Sequence, residues 1–399
     1  MIDTQAIRNK ILDLAIQGKL TKQLPEDGTA EELYRQIQEE KQELIKAGKI
    51  KKEKPLPKIA EDEIPFEIPR NWKWVYLGDL FQHNTGKALN SRDAEGQLLE
   101  YITTSNVYWD RFELKDLKKM PFTESELEKC TVKKGDLLVC EGGDIGRAAI
   151  WSFDYEMRIQ NHIHKLCKYS DSICSKFYYF VLKLYKQAGR IDGIGIGLQG
   201  FSSKRVHTLV VPFPPFAEQQ HIVEKIEQAF SILDTIDELQ TKYANNLSAL
   251  KSKLIDLAIQ GKLTKQLPED GTAEELYQQI QEEKQELIKA GKIKKEKPLP
   301  KITEDEKPFD IPESWKWVRL PELCTMPITD GTHQTPTYSD KETGIPFLSA
   351  KDVTTGKINW SKIKYITKDL HEELYKRLAP QKKRYFACQK WNDWSCCFG

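Results

Sequence analysis

Residues Asp13 to Ile59 read DLAIQGKLTKQLPEDGTAEELYRQIQEEKQELIKAGKIKKEKPLPKI, and Asp256 to Ile302 repeat them with one change in 47 positions, Arg35 against Gln278. Identity at that level marks an internal duplication, and a period of 243 residues is far too long for a solenoid unit. The chain is therefore read as two copies of a whole domain plus connector. A looser match continues to Leu80 and Leu323, through Trp72-Lys73-Trp74 and Trp315-Lys316-Trp317. Within the repeat, Thr29-Ala30-Glu31-Glu32 is a capping box, Leu33, Ile37 and Leu44 share one helical face, and Gly48 suits the position just past a helix end. Lys49 to Lys58 follow as a basic linker punctuated by proline, so a domain is expected to start near residue 72 and again near 315.

Between the copies, Ile222, Ile226, Ala229, Leu233, Ile236, Tyr243, Leu247, Leu250, Leu254 and Leu257 are spaced by alternating fours and threes, broken only at Gln240. This is the seam of a coiled coil, and a helix of about 43 residues at about 1.5 Å per residue makes a rod of about 65 Å. A rod with one apolar seam needs a partner helix. Ile7, Ile11 and Leu14 are the repeat equivalents of Leu250, Leu254 and Leu257, so the first residues supply the last part of a second rod. Residues 75–215 read as a mixed α/β domain. Asp136 to Cys140 and His207 to Val211 are strand-like, Ser175 to Gln187 are helix-like, and glycine-rich turns separate them.

Composition bounds the function. With 61 Lys+Arg against 60 Asp+Glu, 30% charged and 39% hydrophobic residues, the chain is neither a polybasic nucleic-acid binder nor an acidic disordered tail. No apolar run approaches the roughly 18 residues of a membrane span, and Met1-Ile2-Asp3-Thr4-Gln5 has no signal-peptide character, so a soluble, cytoplasmic protein without membrane contact is expected. The eight cysteines form no Cys-x-x-Cys pair and read as reduced thiols.

The motifs of self-contained catalysis are missing or out of context. Gly195-Ile-Gly197-Leu-Gln-Gly200 follows a helix-like stretch rather than a strand, so it reads as a loop at a binding surface and not a dinucleotide site. Phe213-Pro214-Pro215-Phe216 lacks the Asn, Asp or Ser with which an amino-methyltransferase would hold a base, and the prolines read as stopping a strand before a long helix begins at Ala217. No phosphate-binding loop occurs. His162 and His164 could point the same way from a strand, but with no third ligand nearby they read as hydrogen-bonding or core residues rather than metal ligands. What remains is a polar set: Thr103 to Asn106, Gly142 to Arg147, Gln160 to His162 and Gln199 to Arg205. Such side chains read base edges and fix phosphates, or else they are ordinary solvated loops; 19 Lys+Arg against 17 Asp+Glu in residues 75–215 give no strong basic field.

Two variable domains, a long helix and a direct repeat make the chain similar to the specificity (S) subunits of type I restriction-modification systems. The motifs that carry the resemblance are Lys133-Lys134-Gly135-Asp136-Leu137-Leu138-Val139 with Gly142 to Arg147, Pro214-Pro215-Phe216-Ala217-Glu218-Gln219-Gln220 running on to Ile226, and Leu257 to Leu263. Ile328 to His333 and Gly344 to Val353 resemble the opening of a second recognition domain. The resemblance implies an α+β (mixed α/β) fold, with target recognition domains joined by coiled-coil helices. It divides the chain into a helix end, short helix and linker (1–71), a first recognition domain (72–215), the long helix (216–260), the second helix and linker (261–314), a partial second recognition domain (315–383) and a tail (384–399).

The same resemblance implies that each domain reads one half of a split site in double-stranded DNA and that the helices set the gap. It implies two methyltransferase subunits that use S-adenosylmethionine, and restriction subunits that use ATP and Mg, while this chain carries neither cofactor nor catalytic or metal-ligating residues. Asn106, Arg147, His162, Gln199, Ser203 and Lys204 are the DNA-facing candidates in the first domain, and Thr332, His333 and Lys351 in the second. Arg384 to Gly399 depart from the pattern, having neither apolar periodicity nor domain-like composition. Read one base later with suitable codons, they yield text resembling Asp136 to Ile150, so a frameshift is expected to have truncated the second domain. A non-DNA scaffold, an inactive remnant and self-association through the exposed rod are the competing expectations.

Overall fold

The computed structural model describes residues 1–89, 95–191, 200–325, 328, 332, 334–354, 357–377, 385–390 and 393–398, with backbone alone at 354, 377 and in the last two segments. The chain divides into two compact units, Met1–Leu247 and Ser248–Gly399.

In the first unit the connector begins with α1 (Thr4–Ile16), whose start is capped by the Asp3 carboxylate accepting from the Ala6 amide at 2.9 Å. The capping box is realised in α2 (Ala30–Lys46): the Glu32 amide donates to Thr29 Oγ1, and the Glu32 carboxylate accepts from the Thr29 amide and hydroxyl. Gly48 takes a φ of 69° just beyond it, the left-handed conformation that releases the chain into the linker.

The domain that follows is closed by its own ends. Strand Lys73–Tyr76 pairs antiparallel with Val210–Phe213, Lys73 standing opposite Phe213. Between them lie two four-stranded sheets. One has the order Phe81–Thr85, Ile163–Lys168, Leu137–Cys140, Ala148–Ile150, and the other Lys118–Phe122, Gln97–Ile102, Met157–Ile159, Thr131–Val132. Leu137 to Cys140 are all buried, as expected of a central strand covered on both faces. Helix α3 (Ser175–Gln187) buries Phe177 to Leu182 without a gap, then Tyr185.

Pro214 and Pro215 end the last strand, and α4 (Phe216–Ile259) runs from there for 44 residues. Helix α1 lies antiparallel along its first half. Ile2 pairs with Gln240 through both backbone groups, Thr4 Oγ1 donates to Asp237 at 2.6 Å, and Arg8 bridges Asp234 and Asp237 at 2.6 and 2.9 Å. Leu12, Ala15 and Ile16 share a core with Phe177, Phe180, Ile222 and Ile226. The seam anticipated from the heptads is buried at Ile222, Ile226 and Leu233, whereas Tyr243, Leu247, Leu250 and Leu254 are exposed.

One local reading differs from the sequence. His207 closes a short helix, Ser203–His207, and the strand starts at Val210; Thr208 Oγ1 donates back to the Lys204 carbonyl, which completes the helical turn where β-branched residues suggested a strand. Within the stretch expected to be a tail, Tyr385–Lys390 pairs antiparallel with Asp393–Phe398. Its run of Tyr, Phe, Trp and Cys suits extended backbone whatever its origin.

In the second unit α5 (Ala273–Lys289) repeats the capping box with Thr272 and Glu275. A three-stranded sheet, Tyr338–Ser339, Lys364–Ile366, Ile345–Phe347, and a short pair, Val353–Thr354 with Lys357–Ile358, follow. Among the described residues no helix is long and apolar enough to cross a membrane.

Candidate nucleic-acid interface

The strands Leu137–Cys140 and Ala148–Ile150 are joined by Glu141 to Arg147, and this turn organises the face. Cys140 and Arg147 close it through an N–H···O bond of 2.8 Å, and Gly146 donates back to the Cys140 carbonyl at 2.9 Å. Gly146 needs to be glycine: its φ is 80°, and a Cβ there would lie 2.3 Å from Ile191 Cγ2. The turn then gathers three other segments. The Glu141 amide donates to the His162 carbonyl at 2.9 Å, its carbonyl accepts from the Phe201 amide at 2.9 Å, and Arg147 Nη2 donates to the Thr104 carbonyl at 2.6 Å. The four polar segments singled out in the sequence thus meet around one turn.

Their side chains divide into supports and exposed groups. Asn106 has both ends of its amide engaged locally, Oδ1 accepting from the Thr103 amide and hydroxyl and Nδ2 donating to the Glu113 carbonyl. It caps a single turn, Thr104–Asn106. Arg147 is half-buried, with its guanidinium 4.9 Å over the Tyr108 ring and that of Arg111 4.5 Å over the same ring. His162 is exposed, with Nδ1 at 3.5 Å from Glu141, and Ser203 and Lys204 are exposed at the start of their short helix. Gln199 lies outside the described residues, as does Gly195-Ile-Gly197.

In the second unit, Lys351 is exposed on a turn, Ala350–Asp352, that copies the first domain's. Asp352 accepts from the Ser349 amide and hydroxyl just as Asn106 does from Thr103, so Lys351 is the positional equivalent of Ser105. Thr332 Oγ1 accepts from the Gln334 amide at 3.2 Å, and His333 lies outside the described residues. Sequence reading missed Tyr108 and Arg111, which extend the Arg147 stack. It could have noticed that a Ser/Thr followed three residues on by Asn or Asp is a capping pattern, which assigns Asn106 to the turn.

Beneath the face, His164 is fully buried. Its Nδ1 lies 2.9 Å from His83 Nε2 and its Nε2 2.5 Å from the Phe201 carbonyl, so the two imidazoles tie the strands Phe81–Thr85 and Ile163–Lys168 to the segment entering at Phe201. Burial, then the neighbouring His164, pushes the His83 pKa down to about 3, and burial lowers that of His164 as well. The pair is thus a neutral hydrogen-bonded prop at neutral pH. Among the described residues no group of three His, Cys, Asp or Glu could hold a metal ion. The thiol of Cys140, under the turn, is pushed up to about 11 by burial and is unreactive.

Residues 69–244 match a family model described as the type I restriction modification DNA specificity domain. Over 421 residues the chain is 30% identical to the type I restriction enzyme EcoAI specificity subunit of Escherichia coli, covering 91% of this chain and 69% of that protein. It is also 30% identical over 376 residues to the EcoEI specificity subunit of E. coli, covering 79% and 61%. Among solved structures it resembles the HsdS subunit from Thermoanaerobacter tengcongensis, at 18% identity and a TM-score of 0.38, over 59% of this chain and 57% of that one.

Proposed function

The chain belongs to the family of type I restriction-modification specificity subunits, and from that premise we propose that residues 72–215 read one half of a split site in double-stranded DNA. The observation that carries the reading is the convergence of Thr103–Asn106, Glu141–Arg147, Gln160–His162 and Gly200–Lys204 on one face, through the Glu141 backbone and the Arg147 to Thr104 bond. Charge balance is no obstacle, since base-edge readout needs a few donors and acceptors and only a few phosphate contacts.

In this reading the roles divide by exposure. Lys204 and Ser203 fix phosphate, His162 and Arg111 reach toward base edges, and Arg147 stacks on Tyr108 to hold the turn and present Arg111. In the second unit Lys351 and Thr332 face the other half of the site, and the α4 rod sets the separation and docks methyltransferase subunits. The chain itself carries out no chemistry. Methyl transfer from S-adenosylmethionine and ATP- and Mg-dependent cleavage belong to its partners.

The test is a DNA-binding titration of the chain with methyltransferase subunits, over 50 to 200 mM salt, on a randomised half-site library. Selection of a fixed half-site sequence, lost on Arg111→Ala, is the expected outcome. Salt-independent binding, or no enrichment of any sequence, would overturn the reading.

A further inference from the structure

The connector carries five lysines in ten residues, Lys49, Lys51, Lys52, Lys54 and Lys58, with Glu53 as the one carboxylate among them. Pro55 and Pro57 bar the chain from continuing as helix, and residues 51–60 lie in neither helix nor strand, so the run forms an extended arm. All five lysine side chains are exposed, and among the described residues no carboxylate pairs with any of them.

A lysine run on loose chain is ordinarily no more than a solvated stretch, but the backbone under this one is fastened. The Ile50 amide donates to the Leu44 carbonyl at 3.4 Å, Ile50 packs on the core, and Leu56 and Ile59 are half-buried. Glu53 is answered from within the fold, its carboxylate 3.5 Å from Lys41 Nζ and 3.7 Å from His207 Nε2. The second copy is fastened in the same way. Ile293 donates to the Leu287 carbonyl at 3.4 Å, Glu296 lies 4.0 Å from Lys284 Nζ, and Lys292, Lys294, Lys295, Lys297 and Lys301 are exposed. The surroundings of the two copies differ, Trp72 being 6% exposed and Trp315 40%, so the posture of the arm belongs to the connector itself.

In the first unit the contact between Glu53 and His207 fixes where the arm lies. His207 ends the short helix Ser203–His207, on which Ser203 and Lys204 are exposed. Contacts lead from the turn Glu141 to Arg147, through the Glu141 carbonyl and the Phe201 amide, to that helix, and from His207 to Glu53. Lys52 and Lys54 flank Glu53 and so lie beyond Lys204 as counted from the turn. The acidic turn Glu61–Glu63 bounds the arm at its far end; Glu63 accepts from the Ala60 amide at 2.8 Å and the Tyr76 hydroxyl at 3.4 Å, while Glu61 and Asp62 are exposed.

We propose that Lys51, Lys52 and Lys54, continued by Lys49 and Lys58, hold phosphates of duplex DNA flanking the half-site, on the side beyond Lys204. This rests on the reading of residues 72–215 as a half-site reader and adds to it a grip on DNA outside the recognised sequence. Ammonium groups on four-carbon stems suit the task, because they meet phosphates as point charges without fixed geometry and carry no sequence information. Screening over about 8 Å at physiological salt confines their effect to phosphates next to the arm. An extended chain at about 3.3 Å per residue sets Lys51 and Lys54 about 10 Å apart, close to the rise of three base pairs. A chain whose total charge is balanced thereby keeps a local run of uncompensated positive charge beside its reading face.

The test uses the full chain assembled with methyltransferase subunits and two duplexes. One carries the half-site selected from the randomised library within random flanks, and the other is the same duplex with its flanking phosphates replaced by uncharged methylphosphonates. Lys51→Gln, Lys52→Gln and Lys54→Gln together are expected to lower the salt slope of log K on the first duplex by about 2 to 3, so that the affinity lost between 50 and 200 mM salt is about 10- to 40-fold smaller. On the second duplex the natural and glutamine chains should bind within about twofold of each other. The selected sequence should be unchanged, and the corresponding arginine triple should match the natural chain on both duplexes. An unchanged slope in the glutamine triple would overturn the proposal and leave the half-site reading standing. An equal deficit on both duplexes would overturn it too, by placing the lysines inside the half-site, as would weakened assembly with the methyltransferase subunits in the absence of DNA, which would make the arm a protein-docking segment. Failure of the natural chain to select any sequence would overturn the half-site reading and this proposal together.

Discussion

The Trp72 indole nitrogen donates to the Glu218 carboxylate at 2.8 Å, joining residues 146 apart in sequence and fastening the connector to the start of the long helix. The carboxylate is wholly buried and held by uncharged donors, so its removal takes an acceptor from Trp72, Thr21 and Asn71, while Gln23 keeps its bonds to the Gly18 and Thr21 carbonyls. Glu218→Ala is expected to destabilise the first unit by about 2 to 4 kcal/mol, and Trp72→Phe by about 1.5 to 3 kcal/mol, in urea titrations. Their double mutant should fall short of the sum, because each removes the same bond. Trp315→Phe, the same change in the other copy, should alter stability by less than about 0.5 kcal/mol. Equal losses from Trp72→Phe and Trp315→Phe would contradict the asymmetry.

The two ends of the repeat allow a second internal control. Leu12 lies in the core with Ile222 and Phe177, while Ile255, at the equivalent place, is exposed. Leu12→Ala is expected to lower stability by about 2 to 5 kcal/mol and Ile255→Ala by well under 1 kcal/mol, measured by chemical denaturation.

Much of this architecture was legible beforehand because it is local or periodic. The heptads from Ile222, the capping box at Thr29, Gly48 and the Pro214-Pro215 stop all announce themselves within a few residues. Burial of the seam did not follow from periodicity, since the same heptads are buried at Ile226 and exposed at Leu250 according to what stands opposite. The recognition face was legible as a set of segments but not as roles. Asn106 and Arg147 have the side chains of base readers, yet one amide caps a turn and one guanidinium reaches a backbone carbonyl, and those bonds join residues far apart in sequence or depend on a turn the composition does not display. Tyr108 and Arg111 were invisible because neither belongs to a motif until the stack with Arg147 is formed.

That division of roles separates two substitutions. Arg147→Ala removes a charge-assisted bond to Thr104 and a ring contact, so it should cost about 1 to 3 kcal/mol of stability as well as DNA affinity. Lys204→Ala should leave the unfolding midpoint unchanged, weaken binding to all sequences alike, and reduce the salt slope of log K by about 1. A Lys204→Ala chain with an unchanged salt slope would remove that lysine from the phosphate contacts.

The His83–His164 pair gives a pH dependence whose sign is fixed by burial. Both imidazoles are held neutral, His83 down to about 3, facing His164, His207 and Lys129, while His164 faces Glu141 and His162. The unfolded chain binds protons near pH 6.5 and the folded one does not, so the stability is fully present above about 6.5 and declines as pH falls toward 3. The slope is about 1.4 kcal/mol per pH unit for each histidine while it remains neutral in the fold. Urea midpoints between pH 7 and 4.5 should therefore fall more steeply for the natural chain than for His83→Gln, whose remaining imidazole titrates alone. Because His164 also holds the Phe201 carbonyl, the segment beginning there should gain amide exchange before the central strand Leu137–Cys140 does. Identical pH slopes in the natural and His83→Gln chains would show that carboxylates alone govern the acid limb.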